Sequence, residues 1–109
     1  MVREWIAAPP PWLEIQHAIS LSKRIGGLGA GETEAIALAL ELRADLLLMD
    51  DRRGVKAARV KGIEVTGTLG VLGLAGKRGL INLPDAFELI KKTSFRYSQA
   101  IMDDFLNEY

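Results

Sequence analysis

The chain alternates between apolar runs and short polar or glycine-rich breaks, a pattern typical of helices and strands packed around one core. The segment Glu32 to Leu42 is rich in alanine and leucine and contains no helix breaker. It predicts a helix that is largely buried against a sheet or another subunit. The segment Asp45 to Asp51 is a continuous apolar run closed by two carboxylates, which predicts a central parallel strand ending in acid.

The next segments complete a unit of strand, helix and strand. Arg53 to Lys61 is basic with apolar positions at helical spacing, Gly62 ends that helix, and Ile63 to Thr66 predicts a short strand. Such a unit favours a right-handed crossover within a parallel sheet. We therefore expect an α/β fold with a small parallel sheet flanked by helices.

Three more helices are predicted toward the C-terminus: Leu69 to about Lys77, Asp85 to Lys92 after Pro84, and Ser98 to Asn107. The last lies in a C-terminal segment, 94–109, and carries an apolar stripe expected to dock on the body. At the other end, three prolines set an N-terminal arm, residues 1–11, apart, and within it Met1 to Ala8 is either a short helix or an extended arm. The alternation from Trp12 to Ile19 predicts a strand, and the lone His17 within it is explained as a surface or strand residue rather than a ligand.

Composition and charge exclude several classes of protein and of functional site. With 109 residues, 49% hydrophobic and 26% charged, the chain fits one globular domain over residues 1–109. Its 14 basic and 14 acidic side chains balance, so any site for a polyanion must be a local patch. The lack of cysteine excludes disulfides, thiolate metal sites and a cysteine nucleophile. Because no apolar stretch approaches the ~20 residues that span a bilayer, we expect a cytoplasmic protein without membrane contact.

Four carboxylates are predicted where an open parallel sheet binds its ligands. Glu32 and Glu34 open the apolar helix, and Asp50 and Asp51 follow the apolar strand. Taken singly, the glutamates are explained by the helix dipole, and Asp51 by an N-cap role. Taken together, hard oxygen donors without histidine or cysteine partners are the ligands that Mg²⁺ and Mn²⁺ prefer. The sharper interpretation is a divalent metal site.

A basic group follows the acids directly: Arg52, Arg53, Lys56, Arg59 and Lys61. A charge run is most often a solvated helix face. Its position beside the acids favours a second interpretation, because a phosphodiester held on metal ions needs cations on its flanking phosphates. Phosphate binding by Arg52, Arg53 or Lys56 is inferred from this charge placement.

The turn from Val65 to Gly70 passes through glycine from a strand into a helix. Thr66 and Thr68 are there either an ordinary cap or part of an anion site built on free N–H groups. The turn lacks the spacing of a P-loop or a dinucleotide fingerprint, which disfavours a nucleotide cofactor.

Three blocks of the sequence resemble a branch of short PIN-like proteins: Gly31 to Ala39, Asp45 to Gly54, and Val65 to Leu72. The similarity continues to Ile81 and covers roughly residues 28–81, about half of the chain. No single block is specific for this family, whereas the three blocks together, in this order and at this spacing, are.

The resemblance implies a PIN-like, Rossmann-like three-layer fold and a metal-dependent endoribonuclease, commonly the toxin half of a toxin–antitoxin pair. Such a protein acts on single-stranded RNA, with an antitoxin protein as its partner. By position, Glu34, or with it Glu32, matches the family's acid at the start of the helix. Asp51, or with it Asp50, matches the acid after the next strand. The resemblance thus implies Glu34, Asp50 and Asp51 as ligands of Mg²⁺ or Mn²⁺.

A complete PIN domain opens with a strand carrying an aspartate, and Met1 to Trp5 contains no such strand. The chain is therefore expected to be N-terminally truncated relative to the family, with fewer carboxylates and a weaker metal site. An exposed sheet edge or helix face would favour a homo-oligomer. Two alternatives stay open. One is a non-catalytic remnant that binds nucleic acid or protein, and the other is a longer natural protein with a misassigned start codon.

Overall fold

The structure is a computed structural model that describes residues 2–19 and 27–109. Within these residues it contains six helices and a two-stranded parallel sheet. In chain order the elements are α1 (Val2–Ala7), α2 (Ala30–Leu42), β1 (Leu47–Leu48), α3 (Arg52–Val60), β2 (Val65–Thr66), α4 (Thr68–Lys77), α5 (Leu83–Lys91) and α6 (Gln99–Glu108). The expected α/β fold, a small parallel sheet flanked by helices, is confirmed.

The sheet carries a first core cluster on one of its faces. Leu47 of β1 is buried with Ile36 and Ala39 of α2 and Ala58 of α3, and Val65 of β2 packs against them. Leu47 pairs with Val65 across the sheet, so both strands present their apolar side chains to the same two helices. The crossover helix α3 begins at Arg52, just after the carboxyl end of β1.

The other face of β1 is open, which corrects the prediction of a central strand. Leu46 and Leu48 are exposed, the latter at 62%. Among the described residues β1 has one paired neighbour, β2. A continuous apolar run predicts that both faces of a strand are buried. It does not say whether another element of the fold covers the second face.

The predicted apolar helix is observed as α2, and its burial is one-sided. Thr33, Ile36 and Ala39 are buried at helical spacing, whereas Leu40 and Leu42 are exposed. The helix ends where Arg43 adopts a left-handed conformation with φ of 50°. The expectation of a largely buried helix therefore holds for the face toward β1 only.

A second core cluster joins α4, α5 and α6. Leu69, Leu83, Phe87 and Met102 form its buried centre. The predicted C-terminal stripe docks there through Met102, Phe105 and Leu106, while Ile101 remains exposed. All the predicted helices lie within two residues of their expected bounds, because caps and glycine stops are local signals.

Gly73 of α4 packs directly against the Phe105 ring of α6. A β-carbon on residue 73 would lie 2.5 Å from the Phe105 ring, well inside contact distance. Gly73→Ala is therefore expected to lower the free energy of unfolding by about 1–3 kcal/mol, although alanine favours helix. Gly31→Ala in α2 is the control, since its β-carbon meets nothing within 4 Å, and it should stabilise by up to about 1 kcal/mol. Urea unfolding measures both, and shifts of the same sign would contradict the close contact.

Residues 12–19 do not form the predicted strand. Two of their backbone N–H groups donate instead to carboxylates of α2: Ala18 to Glu34 Oε2 at 3.3 Å and Ile19 to Glu41 Oε1 at 2.9 Å. Ile19 is 96% exposed, so the alternation marks no core face. A strand forms only when its backbone hydrogen-bonds to a neighbouring strand. Here carboxylate side chains accept from the N–H groups of Ala18 and Ile19 instead.

The first residues form the short helix α1, one of the two structures predicted for them. The rings of Trp5 and Trp12 meet edge to face across the prolines, 5.4 Å apart and at 90°. The separation of residues 1–11 as an arm stays a prediction. None of the helices in the described part of the chain is long and apolar enough to cross a membrane.

Candidate functional site

A side-chain bridge joins the carboxyl ends of β1 and β2. Asp50 Oδ1 accepts a hydrogen bond from the Thr68 backbone N–H at 2.8 Å, and Oδ2 accepts one from the Thr68 hydroxyl at 2.6 Å. The register explains the meeting, because Leu48 pairs with Thr66 and the bridge lies two residues beyond each. The first N–H groups of a helix lack partners inside it, so Asp50 stabilises the N-terminus of α4.

Gly67 makes room for this bridge. A β-carbon there would lie 2.5 Å from Asp50 Oδ1 and 3.3 Å from the carbonyl oxygen of Met49. The Thr66 hydroxyl packs against Gly70 rather than lining the bridge. The turn that resembled an anion site therefore already holds one anion, the carboxylate of Asp50. Phosphate binding by Thr66 and Thr68 stays a prediction.

Asp51 occupies the N-cap position of α3 but does not cap it with its side chain. Its backbone carbonyl accepts from the Val55 N–H at 2.8 Å, and the carboxylate makes no cap hydrogen bond. The side chain is exposed and has no hydrogen bond or ion pair within residues 2–19 and 27–109. The N-cap explanation thus accounts for the backbone of Asp51 and leaves its carboxylate available to a ligand.

The glutamates of α2 have contacts of their own. Glu34 Oε2 accepts a hydrogen bond from the Ala18 N–H. The same oxygen lies 3.4 Å from His17 Nδ1, so His17 is next to a carboxylate. The Glu32 carboxylate folds back toward Gly29. Across the residues that the structure describes, no three histidine or acidic side chains form a group able to hold a metal ion. The structure brings Asp50 and Asp51 to one sheet edge and gives Glu34 separate partners.

An open groove of about 510 Å³ borders Asp50 along α3. It is lined by Asp50, Arg52, Val55, Lys56, Arg59 and Val60. The three cations lie at i, i+4 and i+7, a spacing that places them on one helix face. Arg53 takes a different direction, and its Nη1 donates to the Gly27 carbonyl at 3.5 Å. The structure therefore separates Arg53 from the groove and adds Arg59 to the predicted phosphate-binding residues. The sequence signal that could have found Arg59 is its helical spacing from Arg52 and Lys56.

A second, mostly apolar groove of about 350 Å³ lies on the other side of Asp50, between β1 and α4. Its lining includes Leu48, Gly67, Val71 and Leu72. Asp50 is the one side chain shared by the linings of these two grooves. The end of β1 is therefore accessible from both sides.

A family model described as a PIN domain matches residues 2–109. The chain belongs to the PIN domain family. The match extends well beyond residues 28–81, the part whose sequence resembles short PIN-like proteins, and includes α1 and α6. No curated protein and no solved structure matches the chain. Membership indicates a nuclease-type function for this PIN domain.

PIN domains generally use divalent metal ions, so the donor set of this PIN domain matters. Asp50 and Asp51 are adjacent carboxylates, both exposed at the sheet edge. Mg²⁺ is commonly bound by one or two carboxylates, with waters and substrate phosphate oxygens completing its octahedron. Two aspartates beside a cationic groove fit that mode, in which the substrate supplies part of the ligand set. Their role as ligands, and that of Glu34, stays a prediction.

Proposed function

We propose that this PIN domain is a Mg²⁺- or Mn²⁺-dependent endoribonuclease that cleaves single-stranded RNA beside Asp50 and Asp51. One observation supports this most directly. An unengaged carboxylate, Asp51, lies next to a groove whose cations have no acidic partner in the described chain. With zero net charge overall, this patch is where a polyanion would be attracted.

The two aspartates would act differently. Within the described part of the chain the Asp51 side chain makes no hydrogen bond, and it would ligate the ion directly. Asp50 is held by both donors of Thr68 and keeps further lone pairs on its oxygens, so it would offer a pre-positioned oxygen. The bound ion would activate water and stabilise charge at the scissile phosphate. The register of β1 and β2 places Asp50 beside Thr68, and this contact would fix the orientation of the Asp50 carboxylate toward the substrate.

The glutamates of α2 would complete the acidic set. Glu34 is proposed as a further ligand and catalytic residue, with Glu32 as the neighbouring alternative. Glu34 now accepts from the Ala18 N–H, so it would first have to release residues 17–18. Arg52 and Lys56, which line the groove, are proposed as the residues nearest the RNA phosphates, whereas Arg53 donates to the Gly27 carbonyl and both donors of Thr68 bind Asp50.

We further propose that this nuclease is the toxin half of a toxin–antitoxin pair, acting as a homo-oligomer with an antitoxin protein as its partner. The open apolar face of β1 supports association, because Leu46 and Leu48 are exposed beside the apolar groove. Exposed apolar patches in soluble proteins often mark protein interfaces. Sedimentation of the isolated chain would show its oligomeric state directly.

A binding module without turnover is the second candidate. It is favoured by the engagement of Asp50 with Thr68 and of Glu34 with residues 17–18. It is also favoured because no three acidic or histidine side chains are grouped in the described part of the chain. Such a module would bind RNA through the same cationic groove and leave it intact.

The decisive experiment is cleavage of a mixed single-stranded RNA pool in Mn²⁺. We expect cleavage by the unaltered chain, and loss of cleavage in EDTA and in the Asp50→Asn, Asp51→Asn double variant. The matched control is Asp103→Asn with Asp104→Asn, an adjacent exposed pair on α6 that removes the same charge elsewhere. Cleavage retained by the first double variant would contradict the proposed site. RNA binding without cleavage by the unaltered chain would support the second candidate.

A further inference from the structure

The groove along α3 combines features that point to one kind of occupant. Arg52, Lys56 and Arg59 line it from one helix face, and Val55 and Val60 supply apolar surface between them. We propose that this groove binds the backbone of single-stranded RNA, with Arg59 as the contact farthest from the acids. The proposal rests on the nuclease function for its ligand, and it states where the strand lies.

The cations are free to bind an external anion. None of the three groove cations has a salt bridge to any residue that the structure describes. By contrast, Lys91 on α5 lies 3.1 Å from the Glu88 carboxylate. A phosphate entering the groove therefore has no ion pair with a described residue to break, and it finds arginine donors that can bind it in a bidentate manner.

The length of the groove matches more than one nucleotide. Seven residues of α-helix separate Arg52 from Arg59, which corresponds to about 10 Å along the axis. Phosphates follow one another along a strand at spacings shorter than this, so successive phosphates of one strand can meet successive cations. Asp50 lies at the Arg52 end, where the strand would approach the acidic pair.

The apolar surface favours a single strand over a duplex. Val60 is 82% exposed and lies beside Arg59 in the groove. In a duplex the bases are paired and stacked inside, whereas unpaired bases can be turned toward protein side chains. Proteins that bind single-stranded nucleic acid combine a positively charged groove along the backbone with aromatic rings on which the bases stack, and here the exposed aliphatic surface of Val60 would take the place of a ring.

The neighbouring cations supply a contrast on the same helix. Arg53 follows Arg52 in sequence, but its Nη1 is directed to the Gly27 carbonyl and it does not line the groove. Lys61 follows the last turn of α3 and is also outside the lining. If the groove is the binding surface, adjacent residues of equal charge should differ in their effect.

Binding is measured by fluorescence anisotropy of a labelled single-stranded oligouridylate in EDTA, where metal-dependent cleavage cannot occur. Arg59→Ala is expected to weaken binding by about tenfold or more, the effect of losing one charge-assisted hydrogen bond. It should also reduce the slope of log affinity against log salt by about 0.7, the contribution of one phosphate contact. Lys61→Ala should leave both quantities unchanged. The pairs Arg52→Ala, Lys56→Ala and Arg53→Ala, Lys61→Ala remove equal charge, and only the first should lose most of the affinity.

Three results would overturn the groove assignment: no binding by the unaltered chain, equal losses in Arg59→Ala and Lys61→Ala, or equally tight binding of the matching duplex. These outcomes are separate from the test of catalysis. Oligouridylate binding in EDTA with no cleavage in Mn²⁺ would refute the nuclease and retain the groove. Normal cleavage and binding by Arg59→Ala would refute the groove and retain the nuclease.

Discussion

Asp51→Asn is expected to reduce Mn²⁺-dependent RNA cleavage by about 100-fold or more while leaving the fold equally stable. Replacing even an outer-shell partner of a metal ligand typically costs about 10- to 100-fold, and a direct ligand should cost at least as much. The stability should hold because the Asp51 carboxylate makes no hydrogen bond to the described chain. Its backbone carbonyl, which accepts from the Val55 N–H, is retained by asparagine. Initial cleavage rates and thermal unfolding of the same preparations measure both effects.

Asp50→Ala provides the comparison. Alanine removes both acceptors of Thr68, so this variant should lose about 1 kcal/mol of stability in addition to activity. Asp50→Asn should keep more of that stability, since the amide oxygen can still accept from the Thr68 N–H. Unchanged cleavage by Asp51→Asn would remove Asp51 from the site. A large loss of stability in Asp51→Asn would mean that its carboxylate has a structural role instead.

Phe87→Ala is expected to lower the free energy of unfolding by about 3–5 kcal/mol. Phe87 is 1% exposed and lies with Leu83, Leu69 and Met102 at the centre of the cluster that joins α4, α5 and α6. Truncation removes the apolar contacts of the ring and leaves a cavity that helices fixed on three sides cannot fill. Domains are typically stable by about 5–15 kcal/mol in total, so the loss is a large fraction. Urea unfolding followed by circular dichroism measures it.

Leu89→Ala is the matched control on the same helix. Leu89 is 65% exposed, and alanine is at least as good a helix former, so the change should stay within about 0.5 kcal/mol. Comparable losses for the two variants would show that the second cluster is not the stabilising centre of this half of the molecule.

Much of the secondary structure can be predicted from local signals in the sequence. Alanine and leucine favour α2, and glycine with positive φ ends α3 at Gly62 and α4 near Gly79. Such signals act within a few residues, which is why helix bounds were predicted within two residues. The strand from Trp12 to Ile19 was wrong because a strand forms only with a partner, and the pattern does not contain one.

The candidate site was likewise predicted in part from the sequence and in part became clear only from the structure. Sequence order alone placed Asp50, Asp51 and the cations of α3 at the carboxyl end of a strand. It left open which of the two aspartates is engaged. The structure shows Asp50 bonded to Thr68 and the Asp51 carboxylate unbonded within the described chain.

The amino-acid pattern predicted an α/β fold with acids and cations adjacent after its apolar strand. It did so because helix propensity, glycine stops and apolar periodicity are properties of neighbouring residues. The contact of Asp50 with Thr68, 18 residues away, and that of Arg53 with Gly27, 26 residues away, are known from the folded structure and from no local pattern. Contacts at such separations depend on strand register and helix packing, which are set by the whole fold and not by any one segment.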